Sequence, residues 1–359
     1  MAPRARARTT VSQAEANVMS IKHHIHLVGS MNLPSSEEAM TSASAVMGEA
    51  LLRLPDGEPG PRRGWVFYQR SMFTHNRFLD APGDAEPGRA DVLAPRVLRA
   101  GVNPKDIEFP ELGYAREARN SYQWFAQARR EGRIPAHLRF QVSLPTPYVC
   151  LVSAVDPRAI AQVEPAYEAA MFREVARICD DIPHEDLAIQ WDICIEMVLF
   201  DGRSPLPWRF SESEQRARLH RLTAAVPRDV HLGLHLCYGD YDGKHIVEPE
   251  DGTKLTEFAN LATAASARPL QWIHVPVPIA RKDTAYFAPF ANLRLHAETE
   301  LFLGLVHHAD GIEGTKARIR AAEKYIPRFG IATECGIGRM HTTEEIRELF
   351  QIHKHASND

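Results

Sequence analysis

The chain lacks several features that would assign it quickly to a functional class. No apolar run approaches the roughly 18 residues that a membrane span needs. No G-x-G-x-x-G motif or P-loop is present, so a dinucleotide or ATP site has no support. Lys and Arg total 42 against 46 Asp and Glu, which leaves a net charge of only -4. We therefore expect neither a membrane nor a nucleic acid as partner.

Cysteine is also scarce. The chain has 5 cysteines, an odd number, and no apolar segment of the kind found in secretory signals, so we expect a reduced, cytoplasmic protein. Cys150, Cys179 and Cys194 lie in apolar stretches and are interpreted as inert core thiols. Cys237 and Cys335 remain as candidates for chemistry.

The N-terminus carries Arg4, Arg6 and Arg8, with no acidic residue before Glu15. A transit peptide can have this composition, but the amphipathic pattern is weak, so we predict a flexible tail over residues 1–20. The remaining residues, 21–359, are long and apolar enough to form one large catalytic domain.

Short apolar runs alternate with longer helical patterns, which is typical of βα units and a parallel sheet. The predicted strands are 25–28, 51–54, 140–144, 187–191, 230–236, 270–275, 300–306 and 330–333. The predicted helices are 36–48, 110–131, 157–179, 211–226, 254–267, 314–325 and 343–353. About eight βα units predict a (β/α)₈ TIM barrel of the α/β class. Residues 55–110, rich in Pro, Gly and Arg, are predicted to form a long loop insertion near the barrel mouth.

His235 and Cys237 are the strongest signal for a metal. Residues i and i+2 of a strand point to the same face, so this pair presents an imidazole and a thiolate side by side. Cys335 follows another predicted strand and can add a second sulfur. Two Cys and one His suit Zn²⁺ and leave a fourth position open, as in catalytic zinc sites. A chance pairing of a core His and a core Cys is the alternative.

Other polar residues fall at the carboxyl ends of predicted strands, where barrel active sites are built. His274 could be a fourth zinc ligand, a substrate contact or an ordinary hydrogen-bonded histidine. Asp192 follows a buried strand, where a carboxylate needs a partner such as an ammonium group. His307 or His308 could transfer protons, with Asp310 orienting the ring, although a polar loop leaving the strand explains them equally well.

With these residues in view, the chain resembles the catalytic C-terminal barrel of cobalamin-independent methionine synthase, within the superfamily that also contains uroporphyrinogen decarboxylase. Five motifs occur in order across residues 21–340, nearly the whole chain, and they carry the resemblance. They are Val28-Gly29-Ser30, Gly57-Glu58, Gln190-Trp191-Asp192, His235-Leu236-Cys237-Tyr238 and Cys335-Gly336.

The resemblance implies zinc bound by His235, Cys237 and Cys335. It also implies a polar substrate group held by Gly29, Ser30, Glu58 and Asp192. The expected activity is zinc-dependent methyl or alkyl transfer from an alkyl donor to a small-molecule thiol that zinc activates as thiolate. A zinc-dependent lyase, hydratase or demethylase acting on a non-amino-acid substrate is the alternative. The chain departs from the family pattern at Ile273-His274-Val275, where the family has a zinc-binding Glu, and it is too short to include the family's second barrel.

Overall fold

Parallel strands form the centre of the molecule in the computed structural model, which describes residues 21–83, 94–209, 211–239 and 244–358. In chain order the strands are β1 (Ile25–His26), β2 (Arg53–Pro55), β3 (Leu79–Asp80), β4 (Val97–Leu98), β5 (Arg139–Pro145), β6 (Leu187–Ile193), β7 (His231–Leu236), β8 (Trp272–Pro276), β9 (Glu300–Val306) and β10 (Gly330–Thr333). Every strand predicted from the sequence is confirmed, with differences only at the ends.

Eight of these strands make one sheet in the order β1-β10-β9-β8-β7-β6-β5-β2, and every pairing within it is parallel. A parallel bridge from Ile25 to Leu51, next to β2, joins the two edges, and the Ile25 N–H donates to the Ala50 carbonyl at 2.8 Å. The sheet is therefore nearly closed, and the predicted (β/α)₈ barrel is confirmed.

The helices surround this sheet. They are α1 (Ser36–Met47), α2 (Arg70–Thr74), α3 (Tyr114–Arg130), α4 (Pro147–Ala154), α5 (Ile160–Asp181), α6 (Ile195–Asp201), α7 (Glu212–Ala224), α8 (Thr253–Ala265), α9 (Thr284–Phe287), α10 (Gly311–Ala322) and α11 (Thr343–Ala356). The seven predicted helices are confirmed, and α2, α4, α6 and α9 were missed. Most residues of α4 and α6 are buried, so neither shows the apolar stripe that reveals a surface helix.

The lower barrel interior is filled and closed. Ala188, Trp272 and Phe302 form a buried cluster, and the guanidinium carbon of Arg53 lies 4.1 Å from the Trp272 ring centroid. Gly233 of β7 faces this ring, where an added Cβ would lie 2.0 Å from ring atoms, so the position requires glycine. Substrate can therefore enter only from the carboxyl ends of the strands, where the site lies.

The predicted loop insertion over residues 55–110 contains regular secondary structure in its described residues. It contains a 3₁₀ segment, Gly60–Gln69, then α2 and the antiparallel pair β3–β4. Residues 84–93 of the insertion and the tail predicted over residues 1–20 lie outside the described residues. None of the described helices is long and apolar enough to cross a membrane.

Candidate metal and substrate site

Three metal-ligating side chains meet above the barrel mouth. His235 lies near the end of β7, Cys237 follows one residue beyond that strand, and Cys335 lies two residues beyond β10. The two Sγ atoms are 3.8 Å apart, and Cys335 Sγ lies 3.7 Å from His235 Nε2. All three ligand atoms lie within 4.8 Å of one another. The parallel sheet thus brings together two cysteines separated by about a quarter of the chain.

The donor spacing fits zinc. A tetrahedral ion with Zn–S bonds of about 2.3 Å and Zn–N bonds of about 2.0 Å needs S···S separations of about 3.8 Å and S···N separations of about 3.6 Å. The Cys237–Cys335 and Cys335–His235 distances of 3.8 and 3.7 Å match these values. Two sulfurs and one imidazole also suit the borderline softness of zinc and leave a fourth position for a substrate atom.

His274 lies behind His235, and both nitrogens of the His274 ring have a hydrogen-bond partner. Its Nε2 is 3.0 Å from the Thr333 carbonyl, which can only accept, so Nε2 carries the proton. Burial holds the pKa of His274 at about 3, so the ring is neutral and its Nδ1, 2.7 Å from His235 Nδ1, accepts from that nitrogen. His235 Nε2 is then left with a lone pair directed toward the two sulfurs. His274 therefore occupies the position of an orienting partner behind a ligand.

Replacing His274 by Phe should weaken metal binding by about 10- to 100-fold while leaving the three ligands in place. Phenylalanine fills the space but cannot accept the His235 N–H, so the tautomer with a free Nε2 lone pair loses its support. Competition with a chromophoric chelator measures the change. His353→Phe is the matched control, since His353 is equally buried but hydrogen-bonds only within α11, to the Leu349 carbonyl. Equal metal affinity in the two variants would contradict the orienting role.

Two carboxyl groups share one small cavity with the three candidate metal ligands. Its lining includes Ser30, Glu58, Asp192, His235 and both cysteines, Cys237 and Cys335. The residues predicted to hold the polar end of a substrate are thus adjacent to those predicted to hold zinc.

The turn that presents Glu58 is tightly specified. Gly57 and Glu58 both have positive φ, 79° and 51°. The Glu58 N–H donates to Asp56 Oδ1 at 3.0 Å, and Asp56 is itself held by Arg62 at 2.8 Å. Gly29 leaves room for the carboxylate, because a Cβ there would lie 2.8 Å from Glu58 Oε1. A strained non-glycine residue beside a carboxylate pocket is typical of a binding site.

Both facing acids bind protons unusually tightly. Burial, followed by the charge of Asp192, raises the pKa of Glu58 to about 8. Burial raises the pKa of Asp192 to about 7, although Gln190 Nε2 donates to it at 2.8 Å. Asp192 is only 7% exposed. A bound cation would favour the ionised form of both acids, as the charge of Arg339 in the same lining already does in part.

Replacing Glu58 by Gln should stabilise the protein at alkaline pH. Wild-type Glu58 keeps its proton up to about pH 8, whereas an unfolded glutamate loses it near 4.5. The folded state therefore binds more protons in this window, and wild-type stability falls as pH rises through it. We expect the melting temperature of Glu58→Gln to exceed that of wild type by a few degrees at about pH 8.5 and to match it near pH 4.5. The exposed substitution Glu49→Gln is the control, and a pH-independent gain would contradict this origin.

The two candidate proton-transfer histidines have different surroundings. His307 donates from Nε2 to the Val277 carbonyl at 2.8 Å, and its Nδ1 lies 3.9 Å from Glu334. Burial lowers the pKa of His307. His308 Nε2 lies instead 2.6 Å from Glu348 at the surface. Of the two, only His307 lies beside Glu334, the residue that precedes Cys335.

Asp310 does not orient either histidine by a hydrogen bond. Its two oxygens accept from Arg318 at 2.7 and 2.8 Å, and Lys282 Nζ lies 2.8 Å away. These cations hold the pKa of Asp310 at about 2. Gly314 leaves room for this carboxyl group, because a Cβ at position 314 would lie 2.0 Å from Asp310 Cγ. The observed partners give Asp310 a structural place at the start of α10.

Three residues of the site were missed from the sequence. Trp65 lines the small cavity, and its side chain helps to favour the ionised form of Asp192; its φ of 52° is unusual for a large residue. Arg339 lines the same cavity beyond β10. Cys194, interpreted as a core thiol, lies against Cys237 and raises its pKa. The sequence signal for Trp65 is an aromatic cluster in the loop insertion, made of Trp65, Phe67 and Tyr68.

A second, wider cavity is lined by the same two cysteines. It shares Cys237, Cys335 and Gly336 with the first cavity. His245 lies 3.0 Å from Glu334 in its lining, and the carboxylates of Glu334 and Glu248 raise the pKa of His245 to about 9 despite its burial. Cys237 and Cys335 are therefore accessible from both cavities.

No protein-family model and no curated protein sequence matches this chain, whereas solved structures do. The structure is similar to a B12-independent methionine synthase from Shewanella sp. W3-18-1 in complex with selenomethionine, with a TM-score of 0.54 and 14% identity over 94% of this chain and 97% of that chain.

A second similar structure is a proposed vitamin-B12-independent methionine synthase from Listeria monocytogenes, with a TM-score of 0.53 and 14% identity over 89% of this chain and 84% of that chain. At this identity the likeness concerns the fold. The expected resemblance to methionine synthases is confirmed at that level.

Proposed function

We propose that this protein is a zinc-dependent alkyltransferase that acts on a small thiol bearing an amino group. The observation that carries the proposal is a single small cavity whose lining joins two sulfurs and an imidazole to two acids with raised pKa values. One end of the cavity suits a soft metal with an open position, and the other suits an ammonium group. A small aminothiol matches both ends.

Each part of the substrate has a place in the proposal. Glu58 and Asp192 would hold the ammonium group, and Ser30 lies beside them in the lining. Zinc held by His235, Cys237 and Cys335 would lower the pKa of the substrate thiol, so that the thiolate exists at neutral pH.

The wider cavity suits the alkyl donor because the same two cysteines line it. In the transfer, a bond forms between the substrate sulfur and the donor carbon, and the bond from that carbon to its leaving group breaks. The leaving group takes a proton, and we assign this transfer to His307 or His308, both of which line the wider cavity.

A zinc-dependent lyase, hydratase or demethylase is the second candidate. One observation favours it: two acids with pKa values of about 7 and 8 lie beside the metal ligands and could transfer protons near neutral pH. In that case Glu58 and Asp192 would act on the substrate instead of holding an amine.

Metal content and zinc X-ray absorption, before and after adding thiols, test the proposal. We expect one zinc per chain in a two-sulfur, one-nitrogen shell that gains a sulfur when homocysteine or cysteine is added. The same thiols without their amino groups should bind at least about 10-fold more weakly. A zinc shell unchanged by any thiol would favour the second candidate. Purified protein that takes up no zinc would overturn both the alkyltransferase proposal and the second candidate.

A further inference from the structure

A second cluster of metal-ligating side chains lies apart from the thiolate site. His308 follows β9, and His341 and Glu345 lie at the start of α11. Glu345 Oε1 is 3.7 Å from His308 Nδ1, and Glu345 Oε2 is 3.7 Å from His341 Nδ1. The three ligand atoms lie within 4.8 Å of one another, and all three residues are half-buried. We call these residues the rim cluster, because both histidines line the edge of the wider cavity.

Two carboxylates approach the two ring nitrogens of His308. Its Nε2 lies 2.6 Å from Glu348 Oε2 and donates to it. Its Nδ1 faces Glu345 Oε1, 3.7 Å away. A positive charge between Nδ1 and Glu345, either a proton on the ring or a metal ion, satisfies both groups. A carboxylate behind the far nitrogen of a histidine is also the common support of a metal-bound imidazole.

Glu345 is held in place independently of any ion. The N–H of Thr342 donates to Glu345 Oε2 at 2.8 Å, and the Thr342 hydroxyl accepts from the Glu345 N–H at 3.2 Å, which forms a capping box. This cap directs the carboxylate toward both histidines. Ligand atoms around a tetrahedral ion with bonds of about 2.0 Å lie about 3.3 Å apart, so the two carboxylate–imidazole separations of 3.7 Å would shorten by a few tenths of an ångström on binding.

We propose that His308, His341 and Glu345 bind a second divalent ion of the zinc or cobalt type, with Glu348 orienting His308. Two imidazoles and one carboxylate form a recurring ligand set for such ions. The site shares no ligand with the thiolate site, and with His308 as a ligand the proton transfer of the proposed function falls to His307.

Cobalt titration of metal-depleted, full-length protein at about pH 7.5 distinguishes the two sites. Thiolate-to-cobalt absorption in the near ultraviolet reports the Cys237–Cys335 site alone. We expect two Co²⁺ per chain in wild type. The double variant His308→Ala/His341→Ala should bind one and keep the thiolate band, and Cys237→Ser/Cys335→Ser should bind one and lose it.

Two further variants separate metal binding from folding. Glu345→Gln keeps a capping residue at the start of α11 and should still weaken the second ion by at least about 10-fold. Thr342→Ala breaks the cap, keeps every ligand and should retain two ions. A single Co²⁺ in wild type that shows the thiolate band, or a second Co²⁺ that persists in both His308→Ala/His341→Ala and Glu345→Gln, would overturn the assignment, whereas a single Co²⁺ without that band would overturn the thiolate site instead.

Discussion

Replacing Cys237 by Ser is expected to reduce metal affinity by more than about 100-fold and to abolish thiol alkylation with it. The substitution is nearly isosteric, so the strand end and the surrounding packing should remain. Serine cannot supply a soft anionic ligand at neutral pH, whereas a coordinating cysteine is a thiolate. Metal content after dialysis, chelator competition and turnover with an aminothiol measure the result.

The chain provides a matched control for this substitution. Cys150→Ser changes an equally buried free cysteine outside the metal ligands and should leave metal content unchanged. Cys335→Ser should reproduce the Cys237→Ser defect, because the two sulfurs are 3.8 Å apart in one ligand set. A Cys237→Ser protein that retains stoichiometric zinc and activity would exclude the thiolate site.

Replacing Asp192 by Asn should leave zinc bound but raise the KM for an aminothiol by roughly 30- to 1000-fold. Asp192 is 7% exposed, so its charge is poorly solvated and interacts strongly with a bound ammonium group. Asparagine keeps the shape and can still accept from Gln190, whose Nε2 donates to Asp192 Oδ1 at 2.8 Å. Steady-state kinetics and calorimetric binding measure the loss.

The increase in KM should occur only with thiols that carry an amino group. The same thiol without its amino group should bind wild type and Asp192→Asn equally, because it has no charge for Asp192 to meet. Glu58→Gln should show the same selectivity, and the double variant should lose less than the sum, because both acids face one bound group. Loss of zinc from Asp192→Asn would show that Asp192 supports the metal instead.

Much of the architecture could be predicted from the sequence. Each barrel strand is a short apolar run bounded by polar or turn residues, so periodicity alone reveals it. His235 and Cys237 were recognisable because the two-residue repeat of a strand places them on one face. Asp192 was noticeable as an acid that directly follows a buried strand, whereas Glu58 was identified only through the family resemblance. The buried helices α4 and α6 were missed because packing on several sides removes the polar stripe.

Local pattern thus revealed which strands form and which side chains leave their carboxyl ends, because both depend on neighbours in sequence. The distances between these side chains, and their hydrogen-bond partners, depend on how the chain folds into a closed barrel. It placed His274 behind His235, tied Asp310 to Arg318, and brought Trp65 from the loop insertion to Asp192. It also raised the pKa values of Glu58 and Asp192. Burial, ring tautomers and ion pairing depend on contacts between residues far apart in the chain, so only the tertiary structure could supply them.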